Sequence, residues 1–415
     1  MGLYLHLEGG IPMKKIISLL CSLVTALTLT VSVFSVNDSY DVSAAEVYDV
    51  PYYYYQLSDN AQKSYTELKE AVLNHQRTVK IRYSINQDDF EQIAELLILH
   101  DPTTFNLKSL EAQKVTRSSI TFKLNYRYNH ESYKKMVEEY EKKVDKILSK
   151  LTDDMTTYRK IRVIHDSIIN TAVYDIDYKL SDTMYGTLVK KRGKCDGYAK
   201  TFAYICEKAG IKAVTVIGTD TYTTDDSMHM WNKVYYKDNW YNVDVTWDDP
   251  VSNMKNNRKY EFFMVSDKEF GKTHTEDNLS FDVPKAKDSS KTYFKVYKKY
   301  AKSLSEAKEV IETELEKAAK NGTTSITFQC SDDETYKKAC EYVYDANKIC
   351  SVLKNITKNT NSNLINKIYS YGVDDVHKTI KIYIFYKNKD LDDYYTDTSE
   401  VKASTIKTLA DYGID

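Results

Sequence analysis

Gly193-Lys194-Cys195-Asp196-Gly197-Tyr198-Ala199 is the stretch on which the fold turns. It opens a helix that continues through Thr201, Phe202, Ile205 and Cys206 to a stop at Gly210. Cys195 therefore stands at a helix N-terminus, where the macrodipole and the first-turn N–H groups favour the thiolate, the reactive form of the side chain. The Cys195 N–H is also suited to face an oxyanion formed at an attacked carbonyl. Downstream, Met228-His229-Met230-Trp231-Asn232-Lys233-Val234-Tyr235-Tyr236 reads as a strand that begins at the histidine. Asn239-Trp240-Tyr241-Asn242-Val243-Asp244 returns after Lys237 and Asp238. An antiparallel hairpin of these two strands brings His229 and Asp244 together at its open end. Acyl transfer through sulfur needs a thiolate, a base that takes and returns a proton, and a group that holds the base in one tautomer; Cys195, His229 and Asp244 supply the set.

Singly, each residue has an ordinary structural use: a buried cysteine packs, a histidine satisfies a neighbour, an aspartate caps a turn. The conjunction of the three with Gly193 and Gly197 selects the chemistry. Cys206 is most simply core. Asp248 and Asp249 shape the loop before Pro250 and lack the ligand run of a calcium site, and there is no zinc spacing or phosphate-cradling glycine loop. No metal and no cofactor is expected.

Three blocks in order resemble the transglutaminase-like superfamily of cysteine hydrolases and acyltransferases, in its bacterial secreted branch. They are Tyr185-Gly186 with Gly193 to Ala199, then His229-Met230-Trp231-Asn232, then Trp240-Tyr241-Asn242-Val243-Asp244-Val245-Thr246-Trp247-Asp248. The resemblance covers residues 158–265. It implies a papain-like α+β core in which a helix bearing the cysteine packs on an antiparallel sheet bearing His and Asp, with Cys195, His229 and Asp244 as the triad. Asp196 departs from the polar residue that relatives often carry there, and it is expected to face away from the sulfur. Tyr185, Trp231 and Trp247 are the candidates for lining the substrate groove, although tryptophans at such positions are more often core.

Outside these blocks the hydrophobic period switches between 3.6 and 2. Residues 62–128 read as a helix, a strand over 78–83, a helix over 88–99 and two strands, the second over 120–126. The C-terminal part echoes this order with a helix over 304–320, a strand over 325–328, a helix over 334–348, and strands over 364–371 and 379–386. A charged helix over 131–151 links the first module to the core, a helix over 156–171 follows, and a strand over 260–265 completes the core sheet. The expected division is 1–45 signal peptide, 46–130 N-terminal α+β module, 131–285 catalytic domain with linking helix, and 286–415 C-terminal α+β module.

Lys and Arg total 58 against 60 Asp and Glu in 415 residues, so charge gives no reason to expect nucleic acid or an anionic membrane surface as partner. Tyrosine is abundant at 37, which suits packed surfaces that still hydrogen-bond outward. Lys14 and Lys15 precede an uncharged run over 16–36, and Ser43-Ala44-Ala45 offers small residues for a signal peptidase. The expectation is export, to the medium or the cell surface, with cleavage after Ala45; an uncleaved anchor is the alternative. Five cysteines then remain, Cys195, Cys206, Cys330, Cys340 and Cys350, an odd number that leaves a thiol unpaired. The resulting expectation is a cysteine peptidase or amidase that forms a thioester on protein or peptide substrates, wall peptides among them. Transamidation to an amine, or a binding protein on the same scaffold, are the alternatives.

Overall fold

The computed structural model describes residues 50–116, 118–221, 228–249, 258–277 and 279–389. The expected export segment and cleavage site, residues 1–45, lie outside them. Among the described residues no helix is long and apolar enough to cross a membrane. The chain divides into two compact units, one holding the residues up to Thr246 together with Ser266–Asp288, the other holding Trp247–Val265 and the chain from Ser289 onward.

The first unit opens with helix α1 (Asp59–Leu73), strand β1 (Thr78–Ile81) and helix α2 (Gln87–Glu95), which passes into a π turn over Leu96–His100. Strands β2 (Leu107–Thr116) and β3 (Ser119–Tyr126) follow, and the antiparallel order is β1-β3-β2. Ser58 caps α1, and Asn86 with Asp89 forms a reciprocal capping box on α2, so both helix starts are written locally. The charged helix α3 (His130–Leu148) buries Tyr133, Met136, Tyr140, Val144 and Ile147 at helical spacing, and α4 (Thr157–Ile169) follows it.

Two-residue strands β4 (Val173–Tyr174) and β5 (Arg192–Gly193) pair in parallel and lead into α5 (Cys195–Lys208). The central sheet then forms from β6 (Ala213–Asp220), β7 (His229–Tyr236) and β8 (Asn239–Val243), with β10 (His274–Glu276) on the outer side of β6. The first six residues of β6 and of β7 are buried on both faces. Asn232 on β7 donates to Ala199 O of α5 at 3.0 Å, which ties the cysteine helix to the sheet. The N-terminal strands and helices belong to this unit as well: Tyr53 Oη donates to Thr215 O at 3.0 Å and His100 Nδ1 meets Thr215 Oγ1 at 2.6 Å, both on β6.

The second unit contains β9 (Phe263–Val265), narrower than the strand expected over 260–265, and a self-contained module. A one-turn helix α6 (Asp267–Phe270) lies in the first unit, and another, α7 (Tyr293–Val296), opens the module. After β11 (Tyr300–Ala301) come α8 (Leu304–Asn321), β12 (Ser325–Cys330), α9 (Asp333–Tyr344), α10 (Ala346–Thr360), β13 (Leu364–Asp374) and β14 (Thr379–Tyr386). The single helix expected over 334–348 is two: the chain leaves helical geometry at Asp345, whose carboxylate caps the new helix at Asn347 N. The sheet order is β11-β12-β14-β13 around a core that includes Ile311, Phe328, Leu353, Ile380, Ile382 and Ile384. Its β12-β14-β13 order repeats the β1-β3-β2 order, each with a helix before the first strand and helical chain before the second.

Candidate active site

The backbone around Cys195 is shaped by close approach. A Cβ on Gly197 would lie 2.1 Å from Ser181 O and 2.7 Å from Thr187 Oγ1, and one on Gly193 would lie 2.7 Å from the same hydroxyl oxygen. Only glycines let the first turn of α5 sit this close to the preceding chain. Lys194 is the extended N-cap, and its N–H donates to Ser181 O at 3.0 Å, so Cys195 is the first helical residue. At the far end Gly210, φ +72°, closes α5 with Ile211 N bonded to Cys206 O and Gly210 N to Glu207 O, a Schellman pattern. Asp196 lies with the Lys194 ammonium at 3.6 Å, and its Oδ1 accepts from Gly197 N at 3.1 Å.

His229 and Asp244 are brought together by the β7–β8 hairpin. Its two-residue turn, Lys237 and Asp238, has both φ values positive, the left-handed pair that matches strand twist. Tyr236 then faces Asn239 and Asn232 faces Val243. His229 Nε2 donates to Asp244 Oδ2 at 2.6 Å, and Asp244 has no exposed surface. Asp244 Oδ1 accepts the Thr246 N–H at 2.9 Å. Cys195 is the neighbour of His229 in the site and acts to raise its pKa. With Nε2 committed to Asp244, Nδ1 is the nitrogen left for the sulfur.

Burial works to lower the His229 pKa, but the charge and hydrogen bond of Asp244, with Cys195, outweigh it and hold the ring well above its ordinary value. Burial likewise disfavours the Asp244 carboxylate, yet His229 and a second histidine, His274, hold it well below the usual carboxylate range. The Cys206 thiol, fully buried one helix face away, is pushed well up by that burial.

The groove candidates separate. Trp231 is 1% exposed and donates from Nε1 to Asn242 Oδ1 at 3.1 Å. Its ring lies 6.1 Å from the His229 ring and 22° from parallel. Tyr185 is buried too, its hydroxyl donating to Glu139 on α3 at 3.0 Å. Trp247 belongs to the second unit and packs edge-on to Phe262 at 5.0 Å.

Three residues join the site without having been singled out in the sequence. His274 on β10 reaches Asp244 Oδ2 at 3.2 Å. Asp220, paired with His274 across β6 and β10, places Oδ2 3.9 Å from His229 Nδ1. Tyr174 on β4 is pushed up to about 12, first by burial and then by the negative charges of Cys195, Asp196, Asp220 and Asp244. None of the three belongs to a spaced motif; each is brought in by pairing of short or fully buried strands. His229, Asp244 and His274 also present donor atoms within 4.8 Å of one another, as a metal site would. A cation there would have to break both hydrogen bonds to Asp244 Oδ2, so the donor set as arranged fits a hydrogen-bond relay better than a metal centre.

Cys195 thus stands at a helix start and neighbours a strand histidine that is held in turn by a buried aspartate. The model of the transglutaminase-like superfamily matches over residues 142–245. Residues 142–245 are a transglutaminase-like core. The core is α+β, with the cysteine helix packed on the antiparallel sheet. Among curated relatives, kyphoscoliosis peptidase of Homo sapiens is 31% identical over 122 residues, 25% of this chain and 18% of that protein. The Mus musculus kyphoscoliosis peptidase is 40% identical over 65 residues, 14% of this chain and 10% of that protein. The chain thus spans less than a fifth of the length of the curated relatives it matches. A TGase of known crystal structure shares 14% identity across 56% of this chain and 67% of its own, with a TM-score of 0.26.

Proposed function

We propose that the chain is an exported cysteine-dependent acyl-transfer enzyme, a peptidase or amidase acting on peptide or carboxamide bonds, with cell-envelope peptides as a substrate class consistent with export. The observation that carries the reading is the His229 Nε2 to Asp244 Oδ2 bond of 2.6 Å in a ring whose pKa is also raised by the helix-start Cys195. A buried carboxylate stabilises the imidazolium, and the imidazolium with the helix N-terminus stabilises the thiolate.

In the first half-reaction the Cys195 thiolate attacks the carbonyl carbon, the C–S bond forms and the carbonyl π pair moves to oxygen. First-turn N–H groups of α5 are the donors for that oxyanion. The intermediate collapses, the C–N bond breaks, and the His229 imidazolium gives its proton to the departing amine. In the second half, His229 removes a proton from water as the oxygen attacks the thioester, and the thiolate leaves. Asp244 holds His229 in the orientation that keeps one nitrogen on the sulfur throughout. Water is the acceptor in this reading; an amine in its place gives transamidation.

The test is iodoacetamide alkylation of Cys195 across pH, in the chain without residues 1–45 and in His229→Ala. Rapid labelling that persists well below the ordinary thiol pKa of about 8.5 and slows in the variant supports the reading. Slow labelling that ignores the mutation refutes it. Incubation of glutamine-containing peptides with a labelled amine then separates acceptors: free ammonia or new termini without amine incorporation identify hydrolysis.

A further inference from the structure

Asp244 serves two histidines. Its Oδ2 accepts from His229 Nε2 at 2.6 Å and from His274 Nε2 at 3.2 Å, while Oδ1 accepts the Thr246 N–H at 2.9 Å. A carboxylate held by one histidine can exchange its oxygens by rotating about the Cβ–Cγ bond. Three donors divided between the two oxygens leave one arrangement in which all are satisfied. His274 has a single way to contribute: a neutral ring that donates from Nε2 must accept at Nδ1. Thr273 Oγ1 stands 2.9 Å from that Nδ1 and can supply the proton.

The groups that face His274 are His229 and Asp244 from the β7–β8 side, Asp220 across the β6–β10 pair, and the rings of Phe270 at 4.0 Å and Trp231 at 5.5 Å. Burial lowers the His274 pKa, assisted by the charge of His229 and opposed by Asp244 and Asp220. The ring is thereby a neutral donor under conditions in which His229 is an imidazolium.

We infer that His274 is a positioning residue, with Thr273 fixing its tautomer and its Nε2–H locking the Asp244 carboxylate so that Oδ2 stays on His229. The inference rests on the cysteine-enzyme reading for its consequence in catalysis, and on the hydrogen bonds alone for its effect on His229. Asp244 thus orients the base and is itself oriented by a group supplied from the segment Ser266–Asp288, outside the 142–245 family match.

The experiment compares the chain without residues 1–45 in four forms: unsubstituted, His274→Phe, His274→Gln and Thr273→Val. Two readouts are taken, the pH onset of Cys195 alkylation and the NMR titration of His229. His274→Phe is expected to raise the alkylation onset by about one pH unit, to slow labelling near pH 6 about tenfold and to lower the His229 pKa by about one unit, because the Asp244 carboxylate, released from His274, turns out of line with the His229 Nε2–H and the hydrogen bond between them weakens. His274→Gln, whose amide N–H reaches the same oxygen, restores most of both shifts, a rescue that a space-filling role would not give. Thr273→Val moves both readouts the same way by a smaller amount. A His229 titration unchanged in His274→Phe overturns the inference; if that variant does not fold, an unchanged titration in Thr273→Val overturns it. A chain whose Cys195 is not activated but whose His229 responds to His274→Phe sinks the enzyme reading and leaves the positioning role standing.

Discussion

Asp244→Asn separates the shape of the triad from its charge. The side chain is fully buried and lies 2.6 Å from His229 Nε2, so the amide keeps the volume and loses the counter-ion. With charge centres about 4 Å apart and an effective dielectric of about 20, the lost attraction is about 4 kcal/mol, or about three pKa units on His229. Asp220, 3.9 Å from the other ring nitrogen, is unchanged by the substitution, and allowing for relaxation around the new amide leaves a fall of about two units or more. Since thiolate formation depends on the imidazolium, alkylation of Cys195 near pH 5.5 should fall at least about a hundredfold. Mass spectrometry of the Cys195 peptide reads the rate, with buried Cys206 as the internal slow thiol. The same pair has a signature in stability. The depressed Asp244 contributes stability that is present above its unfolded value and lost as pH falls through the folded one, and the raised His229 contributes stability that is complete below its unfolded value and lost as pH rises. The stability difference between the unsubstituted chain and Asp244→Asn is therefore greatest between about pH 4 and 6.5. Labelling at pH 5.5 that survives the substitution within a few fold would refute the ion-pair argument.

Four further substitutions test what holds the site and its surroundings. Lys233 is wholly buried and its ammonium meets Asp267 at 2.9 Å, Glu276 at 2.6 Å and Pro284 O at 2.9 Å, so Lys233→Met should cost about 3 kcal/mol in urea unfolding, tempered by the partial exposure of both acids. Gly197→Ala forces a methyl against Ser181 O and should cost about 2 to 3 kcal/mol and slow Cys195 labelling. Gly210→Ala, at φ +72° with open space around it, should cost about 1 kcal/mol and leave labelling unchanged. Asp238→Gly relieves a left-handed turn position and should raise the urea midpoint slightly, by about 0.5 kcal/mol, without touching the pH profile.

The legible parts of the site were those written in local chain geometry. The helix at Cys195 is bounded by its glycines, and the hairpin that joins His229 to Asp244 shows two aromatic-rich runs separated by two turn residues. Strand β6 was not legible, because Ala-Val-Thr-Val-Ile-Gly is buried on both faces and carries no period-two alternation. Strand β10 has only three residues, His-Thr-Glu, and exists because β6 offers it an edge. The break at Asp345 lies between helices that follow one another directly, with no Gly or Pro to mark it; the burial phase changes there, from Val343 to Ile349.

These omissions share one physical origin, which also sets the surroundings of Trp231. The segment Ser266–Asp288 has little hydrophobic pattern of its own and is held by polar anchors distant in sequence. Lys233 takes Asp267 and Glu276, Asn242 donates to Asp267 Oδ1 at 2.9 Å, and Ala286 N donates to Asp267 Oδ2 at 2.8 Å. So held, the segment lays Phe270 and His274 over Trp231, with ring centroids at 5.2 and 5.5 Å. The tryptophan lies beside two histidines, and the carboxylate between them acquires its second donor. A motif read from 193 to 248 thus names the candidate reacting groups, while the restraint that keeps Asp244 aimed at His229 comes from residues tied to it by a buried lysine, the Asn242–Asp267 hydrogen bond, the pairing of β10 with β6 and an aromatic stack.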